Sequence, residues 1–457
     1  MASDCSSPTR TEPLPRAASC RTGVGWLCYP LHSGNRSTRG GTMQQPGSFL
    51  TTPARCVVGA AVPAVLLVTS LSALAEVSRS DQVVAAGVES EQARFDVVQV
   101  LEGLEHPWAV AWLPDGRKLV TERPGRLWLV DGDDITRVGN TPRVNPEERD
   151  GLALEASWQG GLLDLAVHPD YEDNGWIYMT YSSPGDPDAV IGDAEFGSGT
   201  ALARARLSDD GSQLTDLETL YVQMPRTAPG RHYGSRIVFP GDGTVIFSIG
   251  DSGLRAPSQD LTDPAGSMIR LNEDGGAAED NPLVGMAPGN LRPEIYSFGH
   301  RNNQGLAIHP ETGEIWTSEH GPRGGDMIHR IEPGNNYGWP QVAYGTEYST
   351  DEQVGIGRSA PGVTPAVHYW DYSMAPSGLA FYSGDEVPGW QGDLFAGSLA
   401  EERLHRLVLE GDRVVHEELL LDGTLGRIRD VRQGPDGRLY LLTDEESGGL
   451  YRLEPAH

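Results

Sequence analysis

Three observations predict an all-β chain built by repetition. Glycine and proline are plentiful, 57 and 33 in 457 residues, while aromatic residues make up only 7%. That balance favours short strands and tight turns over long helices. Second, one phrase keeps returning, a Pro/Asp/Gly turn that feeds an alternating apolar strand. Third, each return follows another short apolar strand, so each is a hairpin with its turn chemistry in place. Six copies at one per roughly 55–70 residues match the period of a propeller blade with some long loops. The fold predicted is a six-bladed β-propeller with four-stranded antiparallel blades. Radial repetition also protects strand edges, and the regular recurrence of the phrases favours it over the alternative, an array of two-sheet sandwiches.

The hairpins run in order. "AVAWL" precedes "LPDGRKLVTE" at Leu113, and "DLAVH" precedes "HPDYEDNGWIYMTY" at His168. "SRIVF" precedes "FPGDGTVIFSIGD" at Phe239, and "GLAIH" precedes "HPETGEIWTSEH" at His309. "RDVRQ" leads into "GPDGRLYLLTD" at Gly434, and 377–399 is a looser copy. The stretches 141–158, 183–200, 253–290 and 341–366 are rich in Gly, Pro, Asp and Ser and read as connecting loops, some of them walls of a site.

Residues 1–75 differ from the rest. All four cysteines lie there: Cys5, Cys20, Cys28 and Cys56. The apolar run 57–71 follows Arg55 and ends in "ALA" at 73–75, which reads as a secretory signal cleaved after Ala75, with an uncleaved anchor as the alternative. Met43 is a candidate true start. The expected division is 1–75 as extension and signal and 76–457 as one propeller, periplasmic or secreted, held without disulfides. Removing 1–75, with six arginines against two acids, takes the net charge from −29 to −33. Such a field disfavours nucleic acid and anionic membranes as partners. Lys118 is the only lysine, so nearly all positive charge is arginine.

Polar clusters fall beside the innermost strand of several blades: Gln159, His232, Arg301 with Asn302, Gly321 with Pro322, and Arg427 with Arg429. In a propeller these converge on one mouth of the central channel. Guanidinium forks suit carboxylates. The "HGP" carbonyls suit a hard cation such as calcium. His232 is the obvious general base. A polycarboxylate cofactor, a calcium ion and a histidine together describe the oxidation of an alcohol. The glycines of "GHRNNQG" are expected to let backbone approach a flat ligand.

Between 104 and 455 the chain resembles the soluble pyrroloquinoline-quinone-dependent sugar dehydrogenases. The resemblance is carried by "QGGLLDLAVHPDYEDNGWIY", "GHRNNQGLA", "EHGPRGGD", "NNYGWP" and "GRIRDVRQGPDG". It implies that the cofactors are pyrroloquinoline quinone (PQQ) and Ca2+, and that aldoses are oxidised at C1 to lactones. It implies His232 as the base, hydride transfer to quinone C5, and Arg301 facing the quinone oxygens. It further implies Gln159, Asn302, Arg427 and Arg429 as cofactor contacts, and the Gly321 and Pro322 carbonyls as calcium ligands. Trp370 would wall the substrate side, and electrons would leave to an external cytochrome or quinone. Two departures stand out. Ala400 occupies the place of a lysine that reaches the cofactor, with Arg403 three positions away. Met327 replaces a glutamate of a second calcium site, leaving the Tyr337 carbonyl. The lost lysine contact is worth ~1.5–3 kcal/mol when buried. A sorbosone-type dehydrogenase, a calcium-dependent lactonase and a non-catalytic binding propeller are the competing readings. Monomer and dimer stay open.

Overall fold

The computed structural model describes residues 77–145, 159–189, 193, 195–227, 230–286, 289–387 and 389–456. The expected signal, its cleavage site and Met43 lie outside the described residues. The described residues open with β1 (Ser78–Glu89) and β2 (Arg94–Leu104). The first blade is β3 (Pro107–Trp112), β4 (Lys118–Glu122), β5 (Arg126–Asp131) and β6 (Asp134–Val138). The second is β7 (Leu162–Val167), β8 (Trp176–Pro184), β9 (Ser198–Leu207) and β10 (Leu214–Val222), with the single helical turn α1 (Tyr171–Asn174) inside its first hairpin. β11 (Ile237–Val238), β12 (Thr244–Ile249), β13 (Ser267–Asn272) and β14 (Ile295–Phe298) make the third. β15 (Asn303–Ile308), β16 (Ile315–Glu319), β17 (Asp326–Ile331) and β18 (His368–Trp370) make the fourth. The fifth is β19 (Pro376–Phe381), β20 (Leu394–Ser398), β21 (Leu404–Glu410) and β22 (Arg413–Leu420). β23 (Ile428–Gln433), β24 (Leu439–Thr443) and β25 (Gly448–Pro455) begin the sixth, which β2 and then β1 complete.

All six predicted hairpins are the inner two strands of a blade. The closing blade has five strands rather than four, because β2 pairs antiparallel with β25, Val97 opposite Leu453, and β1 adds outside it. One expectation fails: 253–290 is not wholly a connection, since β13 lies in it. Its apolar core, Met268, Ile269 and Leu271, is short and is flanked by Gly-, Asp- and Ala-rich segments that mask it. β8 and β9 also extend into 183–200, leaving a shorter loop there.

Burial explains why the sheets stand as a ring. Each strand has two faces, and each blade packs on a neighbour at both. Leu127, Leu129, Leu163 and Met179 fill the seam between the first and second blades. Trp316 and Ile328 meet Leu379 and Leu394 between the fourth and fifth. Leu101 and Leu442 meet Val110 and Val120 where the sixth blade closes on the first. Six such seams join the blades. Inner strands are therefore buried on both faces, as in β12, where all six residues are buried.

The inner strands also carry buried charge. Arg236, almost fully buried, bridges Asp164 of β7 at 3.2 Å and Asp430 of β23 at 2.6 Å. Arg432 binds the same two acids. Arg236 donates further to the carbonyls of Gln304 and Arg429. Breaking one member of such a set costs about 3–5 kcal/mol.

Candidate active site

The second strand of several blades ends at one mouth of the ring, and two adjoining cavities lie there. The larger, about 820 Å3, is walled by Trp108, Asn302, His320, Arg427, Arg429 and Asp444 among others. The smaller, about 280 Å3, is walled by His232, Asp251, Arg301, Trp339 and Tyr348 among others. Gln159 lines both.

In the larger cavity Arg429 donates to Gln304 Oε1 at 2.8 Å and to Asp444 Oδ2 at 2.5 Å. Its Nε is buried with no partner. Arg427 donates to the Leu399 carbonyl at 2.8 Å, and its side chain is 41% exposed. Asp444 also meets His106 at 3.0 Å and Arg123 at 3.2 Å. Burial alone would raise the Asp444 carboxyl, but Arg429, the His106 bond and Arg123 hold it far below the usual range. His320 donates from Nε2 to the Pro376 carbonyl at 2.7 Å; burial and Arg301 push it down to about 3, so it is neutral. Asn302 Oδ1 accepts from the Gly234 N–H and from Gln304 Nε2, which ties this cavity to the His232 loop.

In the smaller cavity His232 Nδ1 lies 2.6 Å from Asp251 Oδ1, and its backbone N–H donates to Gln159 Oε1 at 2.8 Å. Asp251 Oδ2 accepts from Trp339 Nε1 at 2.8 Å. Burial, then Arg301, lowers the His232 imidazole below its ordinary value, with Asp251 partly offsetting them. Asp251 is the ionised partner: its bonds from His232 and the charges around it outweigh the burial that would raise it. Gly250 is required here, since a Cβ would lie 1.9 Å from the His232 carbonyl. His232, Ser235, Ser252 and Arg255 all stand at positive φ. Such non-glycine conformations are costly and gather where surrounding structure imposes them. Arg301 is fixed from behind: its N–H donates to Glu319 Oε1 at 2.5 Å, and the same buried carboxylate takes His300 at 2.9 Å.

The structure thus brings Gln159, His232, Arg301, Asn302, Arg427 and Arg429 to one mouth. Gly321 and Pro322 follow His320 directly and are buried just behind the wall. Asp326 accepts the Gly321 N–H and the Ala375 N–H, both at 2.7 Å, and so joins the two loops. Tyr337 lies away from both cavities, stacked on His300 at 4.6 Å, and buried Met327 sits in β17. Trp370 does not wall the substrate side. It is buried in the seam between the fourth and fifth blades, with Nε1 on Glu417 at 2.7 Å, because the outermost strand that carries it faces a neighbouring blade. Arg403 does not replace the lysine absent at Ala400, as it turns outward to Asp422. The glycine of "NQG" serves packing and not ligand approach, since a Cβ on Gly305 would meet the Ser377 carbonyl at 2.3 Å.

Asp251 and Asp444 were missed by sequence reasoning, yet a signal existed. The repeated phrases end "VTE", "SIGD", "TSE" and "LTD". Those acids, Glu122, Asp251, Glu319 and Asp444, each stand at the mouth end of a second strand and bind a cation or histidine.

The family described as Glucose / Sorbosone dehydrogenase matches residues 104–452. The aldose sugar dehydrogenase of Escherichia coli is 39% identical over 363 residues, covering 78% of this chain and 92% of the relative. The apo-form crystal structure of the soluble E. coli aldose sugar dehydrogenase superposes with a TM-score of 0.72 at 38% identity, covering 79% of this chain and 99% of that one. The PQQ-bound aldose sugar dehydrogenase of Streptomyces coelicolor superposes with a TM-score of 0.59 at 26% identity, over 83% and 98%.

Proposed function

The chain belongs to the Glucose / Sorbosone dehydrogenase family of sugar oxidoreductases, and on that premise we propose that it oxidises the anomeric C1 hydroxyl of aldoses to lactones with PQQ and Ca2+. The observation that carries this reading is the His232–Asp251 pair beside Arg301, one amide away from an arginine-lined cavity.

The residues present fit the cofactor. Arg429 Nε is a buried donor without a partner, and Arg427 is half open. Arg427, Arg429, Asn302 and Gln159 would hold its carboxylates and carbonyls, and the Gly321 and Pro322 carbonyls would hold the ion. When bound, the quinone supplies a hydride acceptor at C5 and calcium a Lewis acid.

The protein's own part is proton transfer and charge placement. With Asp251 accepting at Nδ1, the His232 proton sits there and Nε2 is the free base. The lowered pKa keeps it neutral at neutral pH. Nε2 takes the proton of the C1 hydroxyl as the C1–H bond yields its electron pair. Arg301 provides a fixed cation for negative charge that develops in the transition state. Electrons leave to an external acceptor, a cytochrome or a quinone, and the signal-like segment ending at Ala75 supports a periplasmic or secreted location. A calcium-dependent lactonase would need carboxylates grouped on the metal; among the described residues no trio of His, Cys, Asp or Glu is so grouped.

Reconstitution with PQQ and Ca2+, followed by aldoses, sorbosone and a dye acceptor, tests the proposal. Quinone-dependent dye reduction with aldoses is expected, and His232→Ala should abolish it with cofactor binding retained. Lactone hydrolysis without quinone, or no quinone-dependent turnover at all, would overturn it. Because Ala400 lacks the lysine contact, quinone affinity should rise about tenfold in Ala400→Lys.

A further inference from the structure

One wall of the smaller cavity comes from an insertion with no motif. Tyr348 lies on the loop 341–366, lines the cavity with His232 and Arg301, and is 58% exposed. Its hydroxyl is 3.5 Å from Arg301 Nη2, so the ring stands beside the reacting centre and not behind it.

A long loop would ordinarily let such a ring swing away. This one is fixed at three places. Glu347 is gripped by Arg255 through both carboxylate oxygens, at 2.5 and 2.8 Å. Thr346 exchanges two backbone hydrogen bonds with Arg323, the residue after Pro322, each 3.0 Å. Beneath, Ala343 and Val354 of the loop pack with Trp339 in a small apolar cluster of their own. Arg255 lies 5.4 Å from the Trp339 ring centroid, and Trp339 holds Asp251. Arg255 pays for this position with a positive φ of 63°, uncommon for a side-chain-bearing residue. The same set of contacts therefore orders His232 and the exposed ring together.

We propose that Tyr348 is the stacking platform for the sugar and a determinant of its specificity, positioned by the Arg255–Glu347 pair. The inference rests on the aldose reading above. One face of a pyranose presents axial C–H groups, and a rigid aromatic ring covers them at little entropic cost. Tyr348 then carries the sugar's apolar face beside His232, while Arg301 meets its polar rim.

The test uses Tyr348→Ala, Tyr348→Phe and Glu347→Gln in the quinone-loaded protein, with mono- and disaccharides. Tyr348→Ala should raise KM about tenfold and leave kcat within about twofold. Tyr348→Phe, which keeps the ring, should stay near wild type in KM. Glu347→Gln should raise KM less than Tyr348→Ala, with melting temperature and quinone affinity unchanged in all three. A second arm follows sugar binding to the quinone-free protein by saturation-transfer NMR. Contact with the sugar should weaken in Tyr348→Ala. Unchanged KM in an active Tyr348→Ala enzyme, or equal sugar binding by variant and wild type, would overturn the inference. A wild type that binds sugar through Tyr348 but oxidises none would uphold it and refute the aldose oxidation.

Discussion

At the scale of residues, the site works by pairing each reactive group with a carboxylate it cannot escape. Asp251 fixes the tautomer of His232, and Asp444 fixes Arg429. Asp251 raises the His232 pKa against burial and Arg301, which lower it. A base whose pKa lies below its ordinary value stays unprotonated to lower pH, so the acid limb of kcat/KM should fall below about pH 6.5. Asp251→Asn removes the raising partner. It should move that limb to still lower pH and reduce kcat by about a hundredfold or more through the lost tautomer control. A pH–rate profile checks both statements; an unmoved limb in the variant would count against His232 as the titrating base.

Elements divide sharply by how visible they are in the sequence. The inner hairpin of every blade was legible because a tight turn, with its Gly, Asp and Pro, joins two strands buried on both faces. The outer strands were not. β10 and β22 mix charged and apolar residues because they are half exposed, β18 has three residues, and β13 is flanked by loop-like composition. At the site, His232 and the arginines were readable by residue type. Asp251 and Asp444 passed as ends of a turn-and-strand phrase, Tyr348 stands in a loop without a pattern, and the wall that the resemblance implied for Trp370 gave way because an outermost strand carries it into a blade seam. β2 carries the heaviest duty of any element, since it is the strand that closes the ring. Val97 is fully buried there, opposite Leu453. Val97→Asp would bury a charge without a partner and should cost at least ~4 kcal/mol, read as a large loss of melting temperature or failure to fold. Val83→Asp, on the exposed β1, should change stability little.

For the molecule as a whole, charge and closure matter most. With a net charge of −29, self-repulsion opposes compactness. Raising NaCl from low ionic strength to 0.5 M should therefore increase the melting temperature by a few degrees, as screening reaches most surface pairs. A decrease would indicate that the surface ion pairs contribute more than the repulsion. No helix among the described residues is long and apolar enough to cross a membrane. The pairing of Phe95 with Pro455 has a further consequence for how the protein is made. A strand made early waits for one made hundreds of residues later, so the ring stays open through most of its own synthesis, and joining segments so far apart along the chain carries a large entropic cost. A product of premature termination would be an open fan with bare backbone at both rims, fit for aggregation or proteolysis and not for partial activity.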